Sequence, residues 1–529
     1  MTPRLTTLAA TGALVASSVT ARAQQTAPAQ PPSLVVFIAV DQMRADYLER
    51  FGAQFTGGLK RLYGGGAVMT QAFHDHAITE TAPGHSVMLS GRFPRGTGIV
   101  TNTLGVPDST APMVGGGGPG ASPRRFRGTV LMDWMTAKDD RSHGLSVSRK
   151  DRGAILPMGR AKQSVFWYAT DGRFTTSTYY GSSLPEWVDQ FNAKQIGRKY
   201  AGHVWNLLLP ASEYREVDDV QYENLGRGNT TFPHPMPGDS AQAARLLTEF
   251  PVMDSVIAQF ALAGVTAMKL GAGPQTDLLS VSFSTTDAVG HRYGPESREI
   301  HDQILRLDRT LGTFIDSLYK LRDSARIVFA LTADHGVGPL PEIRAEREHK
   351  PIERPDVIPV LNQIDLDLKA RGDNAGALIY EDDIILLNRR QLSRIKVNAD
   401  SLLGVVARAV RAIPGIQRVD TVRTLAGKDT TTDYVARRWL HMLPADLPAD
   451  LVVTMNPYAY VASVEMSTHG TPHDYDAQVP VIFYGPPFVP GKYPSRALVA
   501  DIAPTLASVI GVTPTEKLDG RVRVDILKR

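Results

Sequence analysis

Four short, almost unbroken apolar runs punctuate the chain: SLVVFIAV over Ser33–Val40, LLSVSF within Thr276–Phe283, RIVFAL over Arg326–Leu331 and VPVIFY over Val479–Tyr484. Runs of this length without polar alternation suit strands buried on both faces, as in a parallel sheet. Between them the period changes. In Ile304–Leu321 the apolar residues Ile304, Leu307, Leu311, Phe314, Leu318 and Leu321 recur every three or four positions, one stripe of a helix lying on a sheet. Val252–Leu270 and Val499–Val512 read the same way. Buried strands alternating with amphipathic helices predict an α/β fold: a doubly wound, mostly parallel sheet flanked by helices.

The polar residues that interrupt this pattern fall at informative places. Asp41, Asp287, Asp334 and His335 all follow the carboxyl ends of predicted strands, the edge at which open α/β sheets bind ligands. Three stretches read as insertions. Residues 104–125 are rich in Gly and Pro and are expected to form a mobile loop. Residues 173–241 are irregular, with many aromatics and turn formers. Residues 349–451 carry their own strands (ALIYEDDIILL) and helices (SLLGVVARAVRAI) and are expected to form an inserted α/β cap. That leaves 33–348 and 452–529 as the core.

The amino terminus has a different logic. Arg4 precedes the apolar stretch Leu5–Val19, and Ala21-Arg22-Ala23 has the form of a cleavage site. Residues 1–23 are therefore expected to be a signal peptide and 24–32 a flexible leader, placing the mature protein in the periplasm or outside the cell. Nothing later in the sequence is long and apolar enough to span a bilayer.

Composition narrows the chemistry. The 529 residues include no cysteine, which removes disulfides, thiol nucleophiles and Cys-ligated metals together. The 13 histidines leave His, Asp and Glu as the available metal ligands. The net charge of +3 is small and no Lys/Arg block stands out, so nothing points to a nucleic-acid groove.

Several polar strings are candidates, and singly each is ambiguous. Asp287 and His291 are four apart and would share a helix face, a spacing that also arises by chance. Asp334-His335 is an adjacent pair at a strand end. His469 precedes the fourth apolar run; a surface histidine is its ordinary reading. Thr81, in ETAPGH, would sit at a helix N-terminus with Pro83 in the first turn, a place that favours phosphate but equally a plain N-cap. Asn102 follows GTGIVT and reads as a turn residue. The string RKDR, with Lys150 and Arg152, reads alone as a solvated turn.

In order along the chain, AVDQMRADY, ETAPGHSVMLSG, GTGIVTN, SRKDRGAI, STTDAVGH, LTADHG and THGTPHDYDAQVPVIFYGP resemble the alkaline phosphatase superfamily. The likeness is to the bacterial phosphate-irrepressible alkaline phosphatases, near the nucleotide pyrophosphatase/phosphodiesterase branch, and it spans Ser33 to about Pro487. It implies hydrolysis of small phosphate monoesters by two zinc ions and a covalent phosphothreonine on Thr81. One zinc would be held by Asp287, His291 and His469. The other would be held by Asp41, Asp334 and His335, with Thr81 as its reactive ligand. Asn102 would bond a phosphoryl oxygen. Lys150 and Arg152, alternating along an extended segment, would face the same oxygens and reward the extra charge of a monoester. A phosphodiesterase on the same metals is the alternative. His473 is the rival to His469, His74 and His76 are expected to support the site without ligating, and His85 to pack beneath the nucleophile. The working unit is expected to be a monomer.

Overall fold

The computed structural model describes residue 1 and residues 31–116, 118–223, 229–459 and 467–528. The signal peptide and nearly all of the leader expected from the sequence lie outside the described residues.

Pro31–Arg529 is one compact unit, built on a nine-stranded sheet. Its centre is five parallel strands in the order Ile327–Thr332, Leu34–Val40, Asp277–Phe283, Gly144–Ser148 and Ser164–Tyr168. Every residue of Leu34–Val40, Asp277–Phe283 and Ile327–Thr332 is buried. That is the reason these segments carry no polar alternation: helices cover both faces. Register brings the strand ends level, with Val40 opposite Phe283, Ala39 opposite Thr332 and Ser148 opposite Ser282. The residues after those positions therefore meet along one edge.

The fourth apolar run behaves differently. Val481–Tyr484 pairs antiparallel with Ile327–Thr332, with Val481 opposite Thr332. A buried run fits either direction, so periodicity cannot assign it. The reversal matters, because it places the beginning of this strand at the edge where the parallel strands end. His469 reaches that edge from ahead of its strand, whereas Asp41 and Asp334 follow theirs.

The helix Arg298–Leu321 buries Ile304, Leu307, Leu311, Phe314 and Leu318 as the stripe predicts, begins two residues after Glu296, and is capped by Ser297, whose side chain accepts from the Ile300 N–H. The Gly- and Pro-rich stretch 104–125 is tied down: Asp108 accepts from Ser122 and Thr110, and Met113 bridges to Ser177. Residues 349–451 contain most of a four-stranded antiparallel sheet, Leu378–Glu381, Ile384–Leu387, Ile416–Thr421 and Leu451–Met455. Its last strand runs past the expected boundary. This sheet has its own apolar cluster around Leu361, Val406 and Val453. A further cluster joins Trp439 and Leu425 to Ala77, Ile78 and Val100 of the core. No single helix among the described residues is long and apolar enough to cross a membrane.

Candidate active site

Asp41 follows the strand Leu34–Val40, and Asp334-His335 follow Ile327–Thr332. Asp287 and His291 lie on the helix Thr285–Tyr293 that leaves the strand Asp277–Phe283. Their ligand atoms gather into two groups, Asp41 with Asp334 and His335, and Asp287 with His335 and His469. His291 Nε2 stands 3.2 Å from Asp287 Oδ1 and His469 Nε2 3.7 Å from the same oxygen. His335 thus lies at the junction of the two sets, its ring stacked on that of His469 with centroids 3.5 Å apart.

The three histidines are posed alike. His291 Nδ1 donates to the Ser467 carbonyl at 2.8 Å, His335 Nδ1 to Gly336 at 2.9 Å and His469 Nδ1 to Thr79 at 2.8 Å. A carbonyl only accepts, so Nδ1 carries a proton and Nε2 faces the carboxylates. This is the arrangement metal-ligating imidazoles adopt. His473 lacks it: Nδ1 is taken by the Tyr434 hydroxyl and Nε2 by the Met455 carbonyl.

The carboxylates fit the same reading. Asp41 and Asp334 are fully buried and Asp287 nearly so. Asp41 Oδ1 and His335 Nε2 have no hydrogen-bond partner among the described residues. One ammonium, Lys150 Nζ, stands 2.7 Å from Asp41 Oδ2 and 2.6 Å from Asp287 Oδ2. Three buried carboxylates against Lys150 and, at 3.8 Å, Arg149 leave negative charge that is costly in a dry interior unless further cations join it. The titration pattern reflects that field. Burial, then Asp287 and Asp334, push Asp41 up to about 7. Burial opposes charge on His469, but Asp287 draws it up to about 9. Burial holds His335 well below its ordinary value and therefore neutral.

Thr81 opens the helix Thr81–Met88, and the N-cap position belongs to Glu80. Thr81 is not spent on capping. Asn102 Oδ1 accepts from the Ala82 N–H at 2.9 Å, and Glu80 Oε2 accepts from the Asn102 N–H at 2.8 Å. Because Ala82 is a donor, the Asn102 oxygen must face it, which turns the amide NH₂ the other way. The Thr81 hydroxyl lies 3.2 Å from Lys150 Nζ, next to the Asp41 and Asp287 carboxylates that Lys150 also touches.

Arg152 corrects an expectation. Lys150 is extended at the N-cap of Asp151–Ile155, and Arg152 already belongs to that helix. The pair does not alternate along a strand: Ser148 Oγ accepts from the Lys150 N–H where the strand ends, and the helix begins at Asp151. Arg152 stands within electrostatic reach of Glu80, and its buried Nε has no partner.

Further residues surround these ligands. Gln42, in left-handed backbone conformation with φ 63°, donates its N–H to Asp334 Oδ1 at 3.1 Å and its amide to Asp287 Oδ1 at 3.2 Å. It therefore links the two ligand sets. A Cβ on Gly290 would meet Gln42 Oε1 at 1.8 Å, so the glycine of DAVGH makes room for it. His85 does more than pack: Nδ1 is 2.9 Å from the Thr81 carbonyl and 3.1 Å from Asp334 Oδ2, and Nε2 is 3.0 Å from Ser282 Oγ. His74 Nε2 bonds the Ala333 carbonyl at 2.8 Å and His76 backs His74, which braces the Asp334 loop. Arg149 Nη2 lies 3.8 Å from Asp287 Oδ2. Glu80 and Gln42 adjoin Thr81 and Asp41 in sequence, but no spacing rule marks them.

The fold is that of the alkaline phosphatase superfamily. Type I phosphodiesterase / nucleotide pyrophosphatase is the family that matches residues 35–476, and the chain belongs to it. It is 32% identical to alkaline phosphatase PhoV of Synechococcus elongatus, over 94% of this chain and 93% of that protein. It is 30% identical to alkaline phosphatase PafA of Elizabethkingia meningoseptica over 98% of both. A crystal structure of wild-type PafA superposes with a TM-score of 0.86 at 28% identity, covering 95% of this chain and 100% of that one.

Proposed function

We propose that this protein is an exported alkaline phosphatase that holds two zinc ions and hydrolyses small phosphate monoesters through a covalent phosphothreonine on Thr81. The observation that carries this is the common pose of His291, His335 and His469, each with Nδ1 on a carbonyl and Nε2 turned to buried carboxylates beside the Thr81 hydroxyl. Similarity to PhoV and PafA, both named alkaline phosphatases, supports it over nearly the full chain. Asp287, His291 and His469 would hold one ion, and Asp41, Asp334 and His335 the other. Bound there, the pair would neutralise charge at both ends of an in-line displacement.

The chain's own residues supply the rest. The Thr81 oxygen, its proton released to solvent, attacks phosphorus, the ester P–O bond breaks, and the alcohol departs on the Asp287–His469 side, taking up a proton from solvent. Water then attacks the phosphothreonine, releasing inorganic phosphate and returning the hydroxyl. Asn102 offers its amide NH₂, and Lys150 and Arg152 their charges, to the non-bridging oxygens. All of these groups come from one chain, so the proposed site needs no residue from a second copy.

Thr81→Ala tests the reading. Turnover of an aryl phosphate should fall by at least about 10³-fold while elemental analysis still finds the metal. Acid-quenched wild type should carry one phosphate on the peptide containing Thr81. Unchanged turnover, or a phosphate on another residue, would reject the assignment.

A further inference from the structure

The wall on the leaving-group side of the site changes sign. A cavity of about 300 Å³ opens beside His469 and is lined by five carboxylates: Glu80, Asp356, Asp382, Asp383 and Asp476. Among the described residues no lysine or arginine lines it. His469 belongs both to this wall and to the ligand set beside which the alcohol departs in the reaction proposed above, on which this inference rests. Glu80, the neighbour of Thr81, also lines it, so the cavity adjoins the side on which that reaction places the group attached to the ester oxygen.

Two of the acids come from the inserted sheet. Asp382 and Asp383 form the tip of the hairpin joining Leu378–Glu381 to Ile384–Leu387. The tip docks on the Asn102 loop, where the Thr103 hydroxyl bonds Glu381. Burial, then Glu80 and Glu381, push Asp382 up to about 7, so acids of the core and of the inserted sheet feel each other. An independent observation comes from Asp476. Its Oδ2 accepts from the Thr471 N–H and hydroxyl, but Oδ1 has no hydrogen-bond partner although the residue is wholly buried. Tyr380 and Tyr475 add aromatic rings to the lining, surfaces that suit an organic cation.

We propose that this cavity is a leaving-group subsite that selects phosphate monoesters whose alcohol carries an ammonium group, such as short aminoalkyl phosphates, over neutral and anionic alcohols. The cationic Lys150 and Arg152 address the phosphoryl end, and the acidic wall addresses the opposite end. A leaving group with a carboxylate or further phosphates meets repulsion there.

The test compares 2-aminoethyl phosphate with propyl phosphate, equal in length and different by one charge, in wild type and in Asp382→Asn/Asp383→Asn. Asn is well tolerated at the positive φ of both positions, 40° and 65°, so the hairpin is retained. At about pH 8.5, above the value of about 7 to which Asp382 is pushed, the kcat/KM ratio of the ammonium to the neutral ester should fall about tenfold or more in the variant. The intrinsic reactivity of the two alcohols cancels in this comparison. Propyl phosphate turnover should stay within about twofold, and a carboxylate-bearing ester should improve. Asp356→Asn, from another segment of the wall, should lower the ratio by a smaller factor. A ratio unmoved in both variants overturns the proposal. Failure of wild type to hydrolyse any of these esters or an aryl phosphate would instead reject the phosphatase reading beneath it.

Discussion

His291, His335 and His469 are each fixed by one bond that the sequence does not display, Nδ1 to a backbone carbonyl. Residue type alone leaves an imidazole two ways to face; the carbonyl chooses one. The same scale governs Lys150 and Arg152. Lys150 Nζ is held among Asp41, Asp287 and Thr81, and Arg152 stands toward Glu80 with Nε unpaired. Replacing both by alanine should lower kcat/KM for an aryl phosphate monoester by about 10²–10³-fold. Loss on a bis-aryl diester, with one fewer negative oxygen, should stay within about tenfold. Equal losses would refute a role in recognising the dianion. The residue types of the site were legible in the sequence at Asp41, Asp287, Asp334, His335 and His469. Gln42 was not, because its role depends on a left-handed backbone and on the empty space above Gly290.

The helix Thr81–Met88 and the Asp334 loop show how elements set atomic distances. A Cβ on Gly84 would fall 2.2 Å from the Asp334 carbonyl oxygen, so glycine lets the nucleophile helix lie directly on the loop. Gly84→Ala must push the two apart. It should cost about 1–3 kcal/mol of stability as overpacking and about 10²-fold in kcat/KM through misplacement of Thr81. Denaturant titration and steady-state kinetics check both numbers; a fully active, equally stable variant would show that the contact is not tight. Strand direction is the other lesson at this scale. The run VPVIFY announced a buried strand, and its antiparallel course came from pairing with Ile327–Thr332. Arg152 likewise reads as extended in sequence and is helical, because the strand Gly144–Ser148 ends before it and a helix begins at Asp151.

For the whole molecule, the inserted sheet and the core must stay in register for the cavity wall to exist. Asp75 of the core joins them. It accepts from Arg437 at 3.0 Å, on the helix Tyr434–Met442, and from Arg496 at 3.1 Å, while His441 Nδ1 bonds its carbonyl at 2.8 Å. Burial opposes ionisation, but the bonds from His441 and Arg437 hold its carboxyl well below the usual range. A depressed carboxyl stabilises the fold above its ordinary value of 3.8 and loses that contribution as pH falls toward the folded value. Asp75→Ala, leaving arginines unpaired, should cost about 3–5 kcal/mol near neutrality. The gap to wild type should narrow in acid; a gap constant with pH would argue against the ion cluster. Chelation provides a second test at this scale. Stripping metal should abolish turnover and lower the melting temperature by several degrees, because cations that bind the folded chain stabilise it. Zinc should restore both; restoration by magnesium alone would reject zinc as the resident ion.

Hydrophobic period by itself determined the α/β plan, since a strand buried on both faces and a helix buried on one leave different spacings. The ordered strings determined the residue types of the site, since the chemistry needs particular donors and the chain offers them at strand ends. Tertiary structure decided the rest: the direction of Val481–Tyr484, the turn of each imidazole, the helical place of Arg152, the bridge through Gln42 and the acidic cavity beside His469. Each of these depends on which distant segment lies alongside, and a one-dimensional pattern contains no term for that.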